Sequence, residues 1–271
     1  MQLYRDIVGA IALVVLILSL LTATHAWNCK EVKNIKNLMQ IDAGQGHVVA
    51  TDTNEIPYYL QRGFIQDEWI RIPGFVKHIT VGPAGTWCVD RTDRIFKYLE
   101  GKWVHAEGFL KQVDAGGDQF IVGANMQNVP FCLKSSAAIG YKGPGSPLPW
   151  KQFPGSVKYY SCGPFGCWAV NKDESIIFMN LDRDCQYSGW SNIDGMLSMI
   201  EVATDGSVFG VNSVGDIYTR MSGQCIKGRG VTLWNRAGTS CSLLPITHLF
   251  PLGSSPAVYL RSPDDPSLPD L

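Results

Sequence analysis

One phrase recurs five times along the chain: a tryptophan followed four or five residues later by a glycine. The copies are Trp69–Gly74, Trp103–Gly108, Trp150–Gly155, Trp190–Gly195 and, shortened, Trp234–Gly238. Successive tryptophans lie 34, 47, 40 and 44 residues apart. A period near 40 residues means one supersecondary unit copied along the chain, and a copied unit constrains the fold more than any local propensity does. It also copies its surface, so several similar weak sites are expected in place of one catalytic pocket.

Within each period, four short runs rich in β-branched and aromatic residues are split by Gly, Pro, Asn and Asp turns. The unit after Gly74 runs through Phe75–Gly82, Thr86–Asp90 and Arg94–Tyr98 before reaching Trp103. Val157–Cys162, Cys167–Asn171 and Ser175–Phe178 repeat that plan before Trp190, and Met199–Ala203, Ser207–Asn212 and Asp216–Arg220 repeat it before Trp234. Four antiparallel strands per period describe a propeller blade, and only a closed ring hides the edges of such small sheets. The sequence therefore predicts an all-β β-propeller. Its repeats fall at about 38–74, 75–108, 109–155, 156–195, 196–238, and 239–261 joined by 27–37. The N-terminal Trp27-Asn28-Cys29 segment, a Trp phrase with no strands before it, is expected to supply the outer strand of the last blade.

Arg5 and an apolar run from Ile7 to Leu21 precede small residues ending at Ala26, the layout of a secretory signal peptide over residues 1–26. Such a run is shorter than the ~20 residues of a membrane span. Eight cysteines follow, an even number, which in a secreted chain implies disulfides rather than metal chemistry. Cys162 and Cys167 flank a Gly-Pro-x-Gly hairpin loop and should face each other. Cys132 with Cys185 would staple adjacent blades, and Cys29 with Cys241 would join the chain ends, but sequence alone leaves both pairings open.

The net charge is −1 with no Lys/Arg block, which argues against nucleic acid and against anionic membranes as partners. No membrane insertion is expected of the mature chain. The prolines at 263, 266 and 269 mark residues 262–271 as a disordered tail.

With the repeats in view, the chain resembles the fish egg lectins of the tectonin family, relatives of horseshoe-crab tachylectin-1. The resemblance rests on Trp27-x-Cys29, on Leu38–Gly44 continuing through Gly46 and Val48–Thr51, on the Val-Gly-Pro-x-Gly-x-Trp pieces, and on Val208–Asn212 with Ile217–Arg220. It spans about residues 27–220. It implies a secreted, six-bladed lectin for galactose or N-acetylglucosamine residues and bacterial lipopolysaccharide, serving egg or innate defence. The last unit departs from the pattern at Pro245, Pro251 and Pro256.

Sugar binding needs an aromatic face and short polar groups. The turns between second and third strands supply Asp52, Asn54, Asp90, Arg94, Asn171, Asp173, Asn212 and Asp216, and these are the candidate glycan-binding residues. The alternative reading is that tight turns need Asn and Asp in any case. The repeated tryptophans, with Trp87 and Trp168, are expected in blade packing. Asp42 and Asp114, each in Asp-Ala-Gly, are expected to form turns, with calcium contact a distant second; no cofactor is indicated. Arg71-Ile72-Pro73 is similar to a sialidase piece, but no carboxylate pair accompanies it and no enzyme activity is expected. A protein-interaction propeller, with a patch on the loop from Ser135 to Pro149, is the alternative class.

Overall fold

A computed structural model describes residues 29–32, 35–63, 67–204, 206–220, 235–236 and 258–261. The calls on the signal segment, on Trp234, on the Cys29–Cys241 pairing and on the tail lie outside the described residues and side chains.

Five four-stranded antiparallel sheets follow one another, each built in simple up-and-down order. They are β2–β5 (Leu38–Gly44, His47–Asp52, Pro57–Gln61, Glu68–Arg71), β6–β9 (His78–Gly82, Gly85–Val89, Arg94–Leu99, Lys102–Phe109) and β10–β13 (Gln112–Asp114, Ile121–Ala124, Pro130–Leu133, Lys151–Gln152). Then come β14–β17 (Tyr159–Gly163, Gly166–Val170, Ser175–Met179, Ser191–Met196) and β18–β21 (Met199–Val202, Val208–Val211, Ile217–Arg220, Asn235–Arg236). A sixth, two-stranded sheet pairs β1 (Cys29–Val32) with β22 (Val258–Arg261), so a strand from near each end of the chain meets in one ladder. The architecture is an all-β propeller with five complete blades among the described residues, against the six the family resemblance implies.

The core lies between blades, not within them. Val49 and Ile72 of the first blade pack on Val76, Ile79 and Val81 of the second. Trp87, Val89 and Ile95 of the second pack on Val113 and Ile121 of the third. Phe120, Val122 and Phe153 then meet Tyr160, Cys162 and Met179 of the fourth. Strands such as β6, β11 and β15, covered on both faces, are buried along their whole length. Their continuous Val/Ile/Ala/Cys content follows from that double cover.

The Trp phrase is a clip between blades. Nε1–H of Trp103 donates to Pro73 O at 2.9 Å, that of Trp150 to Glu107 O at 3.0 Å and that of Trp190 to Pro154 O at 3.0 Å. Each acceptor precedes the phrase's own glycine in the preceding blade. Gly74, Gly108 and Gly155 have φ of 114°, 121° and 109°, and the next blade's indole lies within 3.1 Å of where a Cβ would stand. Both facts demand glycine, which explains why the phrase pairs Trp with Gly. Trp150→Phe keeps one aromatic ring but deletes the donor and the indole's second ring; it is expected to lower stability by at least about 1 kcal/mol in urea unfolding, and an unchanged midpoint would contradict the clip.

Two disulfides are present among the described residues. Cys162–Cys167 closes the β14–β15 hairpin at directly opposed positions, and Cys132–Cys185 ties the third blade to the fourth. Cys88, read with the others as a disulfide cysteine, is a buried free thiol instead. It faces Ile79 across the ladder, and burial pushes its pKa well up, so it is an inert core residue.

The stretch from Ser135 to Pro149, read as a loop, opens with the helix α1 (Ser135–Gly140). Ala138 and Tyr141 are buried against the Trp87 cluster, and Lys97 Nζ donates to Ala138 O at 2.7 Å. Ala138 and Tyr141 thus anchor the segment on the second blade's core, while Ile139 stays 50% exposed.

Candidate functional site

The second-to-third-strand turns share one design. Their first residues are Asp52, Asp90, Asn125, Asn171 and Asn212. In each, the side-chain Oδ1 accepts the backbone N–H groups of the residues two and four positions on, at 2.8–3.2 Å. The fourth residue has positive φ: Glu55 (62°), Asp93 (66°), Asn128 (63°), Glu174 (62°) and Gly215 (88°). This is an Asx turn leading into a left-handed residue.

Four of the eight sequence candidates, Asp52, Asp90, Asn171 and Asn212, are thus committed to their own turns. Asp90 also takes the Arg94 guanidinium at 2.6 Å. Burial alone would raise its pKa, but the hydrogen bonds from Thr92 and Arg94 outweigh it and hold the carboxylate below its usual range. Asn54, Asp173 and Arg94 are exposed at or beside the turn tips, and Asp216 is half-buried. The candidates do not converge on one pocket. They lie in four turns on four blades. Asp90→Ala is expected to destabilise the protein by about 2 kcal/mol, and Asp90→Asn by well under half as much, in thermal unfolding.

The blade-to-blade links run beside these turns. N–H of Val76, Leu110, Val157 and Leu197 donates to O of Glu55, Asp93, Asn128 and Glu174, the fourth turn residues, at 2.7–2.9 Å. The residue just before each of these donors projects outward. Phe75 is 59% exposed, Phe109 68% and Met196 63%. Sequence reasoning missed these residues because, following glycine and leading into a strand, they look like core positions. One face of the propeller therefore alternates polar turns with exposed apolar link residues.

A second repeated set lines the axis. In the innermost strands β2, β6, β10 and β14, one position holds Asp42, Thr80, Asp114 and Ser161, and each caps an amide of the next blade. The donors are Val81 N–H to Asp42 Oδ2 (2.8 Å), Ala115 N–H to Thr80 Oγ1 (2.9 Å), Cys162 N–H to Asp114 Oδ1 (2.9 Å) and Val202 N–H to Ser161 Oγ (3.1 Å). The free edge of each inner strand is thereby satisfied. Asp42 and Asp114 do cap their own turns, accepting N–H of Ala43 (2.8 Å) and Gly116 (3.2 Å), but they are also interblade clasps, with partners 39 and 48 residues away. Tyr159 O–H donates to Glu201 on β18, and His78 Nε2 lies 3.0 Å from the same hydroxyl.

Desolvation, then the charge of Asp42, pushes Asp114 up to about 8. Desolvation raises Asp42 and Glu201 as well. Asp114 therefore keeps its proton in the fold across a range where the unfolded chain, near 3.8, has lost it. Native protein binds more protons throughout that window, so stability is greatest below it, falls as pH rises from about 4 to about 8, and then levels. The slope is up to about 1.4 kcal/mol per pH unit for each such group. Urea unfolding at about pH 5 and pH 8 should show the loss, Asp114→Asn should shrink it, and stability rising over this range would contradict it. Among the described residues no group of three or more His, Cys, Asp or Glu side chains is arranged to hold a metal ion.

The model of the Tectonin domain matches residues 37–247, most of the chain. The chain belongs to the tectonin family. Within the tectonin family it is 49% identical over 187 residues to the fish-egg lectin of Cyprinus carpio, covering 68% of this chain and 76% of that one. Membership points to a protein that is not an enzyme. Its fold is also similar to the Myceliophteria thermophila Cps50 (Swd1) β-propeller domain, with TM-score 0.51 at 7% identity over 78% of this chain and 73% of that one. Human WBSCR16 is similar at TM-score 0.50 and 9% identity, over 77% and 69%. At such identities the likeness concerns the propeller fold alone.

Proposed function

We propose that this tectonin-family protein is a secreted lectin that binds galactose- or N-acetylglucosamine-type glycans, including bacterial surface polysaccharide or lipopolysaccharide, in egg or innate defence. The observation that carries the proposal is the repeated face on which exposed Phe75 and Phe109 stand beside polar turns. A ring offers its C–H face to phenylalanine, and its hydroxyls reach Asn54, Arg94, Asp173 and Asp216 at the turns. Asp52, Asp90, Asn171 and Asn212 act by fixing those turns. The carp relative, a lectin by name, supports the same reading. The two disulfides fit an oxidising compartment, with residues 1–26 as the cleaved signal.

We also read the ring as six blades, with the β1–β22 ladder as part of the last. Trp69 Nε1 is buried with no partner among the described residues, while its sisters each bond the preceding blade. The blade preceding the first is the closing one.

A glycan array probed with purified, folded protein, with and without a calcium chelator, tests the proposal. Binding to clustered galactose, N-acetylglucosamine or lipopolysaccharide is expected. A blank array overturns it in favour of a protein-interaction propeller.

A further inference from the structure

The fourth blade carries an excursion with a turn of its own. Between β16 and β17 the chain makes an excursion over residues 180–188, closed by a Leu181–Tyr187 bridge and by Ser188 N–H donating to Asn180 O at 3.1 Å. At its tip stands a further copy of the Asx turn, Asp182 Oδ1 accepting N–H of Asp184 (3.0 Å) and Gln186 (2.7 Å). Against this excursion lies the β14–β15 hairpin loop, and the two border a shallow, wide-open cavity of about 400 Å³. First-to-second and third-to-fourth connections lie on the propeller face opposite the turns and links described above, so this cavity is separate from the repeated face.

From this structure we infer that the cavity is a second carbohydrate subsite, taking one neutral hexose or N-acetylhexosamine residue. The inference rests on the glycan-binding reading and names a place that the repeat does not supply. Phe165 on one wall is 61% exposed, and Tyr187 on the other, backed by Phe153, is still 39% exposed. Between them the lining is short and polar, with Asn180, Gln186 and Ser188. The side-chain amide of Asn180 has no protein partner among the described residues, and so is free to pair with hydroxyls.

No cation lines the cavity. The nearest ammonium, Lys151 Nζ, donates to Cys185 O at 2.7 Å and lies 5.6 Å from the centre of the Tyr187 ring. Of the one acidic lining group, Asp182, Oδ1 is engaged by its turn. An uncharged ligand fits this lining better than a phosphate or sulfate. The volume falls in the range of small-molecule sites, about 300–1,000 Å³.

The walls are held before any ligand arrives. Cys162–Cys167 fixes the hairpin, Cys132–Cys185 fixes the excursion, and Tyr187 rests on Phe153 with ring centres 4.7 Å apart. A preformed site loses little to ordering on binding.

Two-dimensional amide NMR of the purified protein, titrated with N-acetylglucosamine and separately with galactose to about 100 mM, tests the inference at the mM affinity expected of one shallow site. Shifts centred on residues 164–166 and 180–188 are expected with one of the two sugars. Phe165→Ala should weaken them about tenfold, whereas Phe109→Ala on the opposite face should leave them unchanged. Unchanged spectra elsewhere in each variant establish that it is folded. Shifts confined to the turn-and-link face overturn the cavity while leaving the lectin reading standing. Cavity shifts that survive Phe165→Ala, or no shifts with either sugar, also overturn it; the glycan array then decides the lectin reading separately.

Discussion

Replacing Gly82 by alanine is expected to destabilise the protein by about 3 kcal/mol, a fall in Tm of roughly 6–12 °C for a domain of this size. The cause is a collision between blades. A Cβ on Gly82 would stand 1.9 Å from the backbone oxygen of Ala115 on the next inner strand. Gly44 and Gly116 occupy the same repeat position and would meet Val81 O at 2.2 Å and Cys162 O at 2.3 Å. Backbone cannot rotate away as a side chain can, so one methyl group forces two blades apart at the axis, where the Asp42, Thr80 and Asp114 clasps hold them. Gly140→Ala serves as the control, because nothing lies within 4 Å of its Cβ position. It ends helix α1 and should be neutral or slightly stabilising. Thermal unfolding of both variants distinguishes close approach from a general intolerance of lost glycine; equal effects would contradict the account.

The second large effect is expected from the Cys132→Ser, Cys185→Ser double variant. The bond spans 53 residues, and closing a loop of that length removes about 4 kcal/mol of unfolded-state entropy in the chain-entropy view. Cys162–Cys167 spans only 5 residues and already sits in a paired hairpin, so its removal should matter much less. The measurement is guanidinium unfolding of the two double variants side by side. A larger loss from the short loop would show that the long bond merely decorates blades already held by the Trp150 and Trp190 clips.

Much of this architecture is legible in the sequence because repetition amplifies weak signals. A single Trp–Gly phrase says little, but five at one period specify a blade and its clip. The hairpin loop between Cys162 and Cys167 is likewise local, and its bond can be read from spacing. What escaped reading is non-local or ambiguous in residue type. Asp42 and Asp114 sit in turn-like Asp-Ala-Gly, yet they also hold amides of the following blade. Asp52, Asp90, Asn171 and Asn212 have the chemistry of sugar ligands and also of tight turns; the sequence offers both readings, and hydrogen-bond geometry shows the turn use. Phe75 and Phe109 look like core residues until the link is seen to turn them outward. Helix α1, at 6 residues, is too short to carry a helical period.

The central claim is that glycan binding is multivalent, distributed over repeated shallow sites. The most direct test compares the affinity of folded protein for free N-acetylglucosamine or galactose with that for the same sugar displayed on a dense polymer, by surface plasmon resonance with solution competition. The account predicts binding on the order of mM for the free sugar and a gain of about 10²–10⁴ on clustering. Equal affinity per sugar residue in the two forms would contradict it.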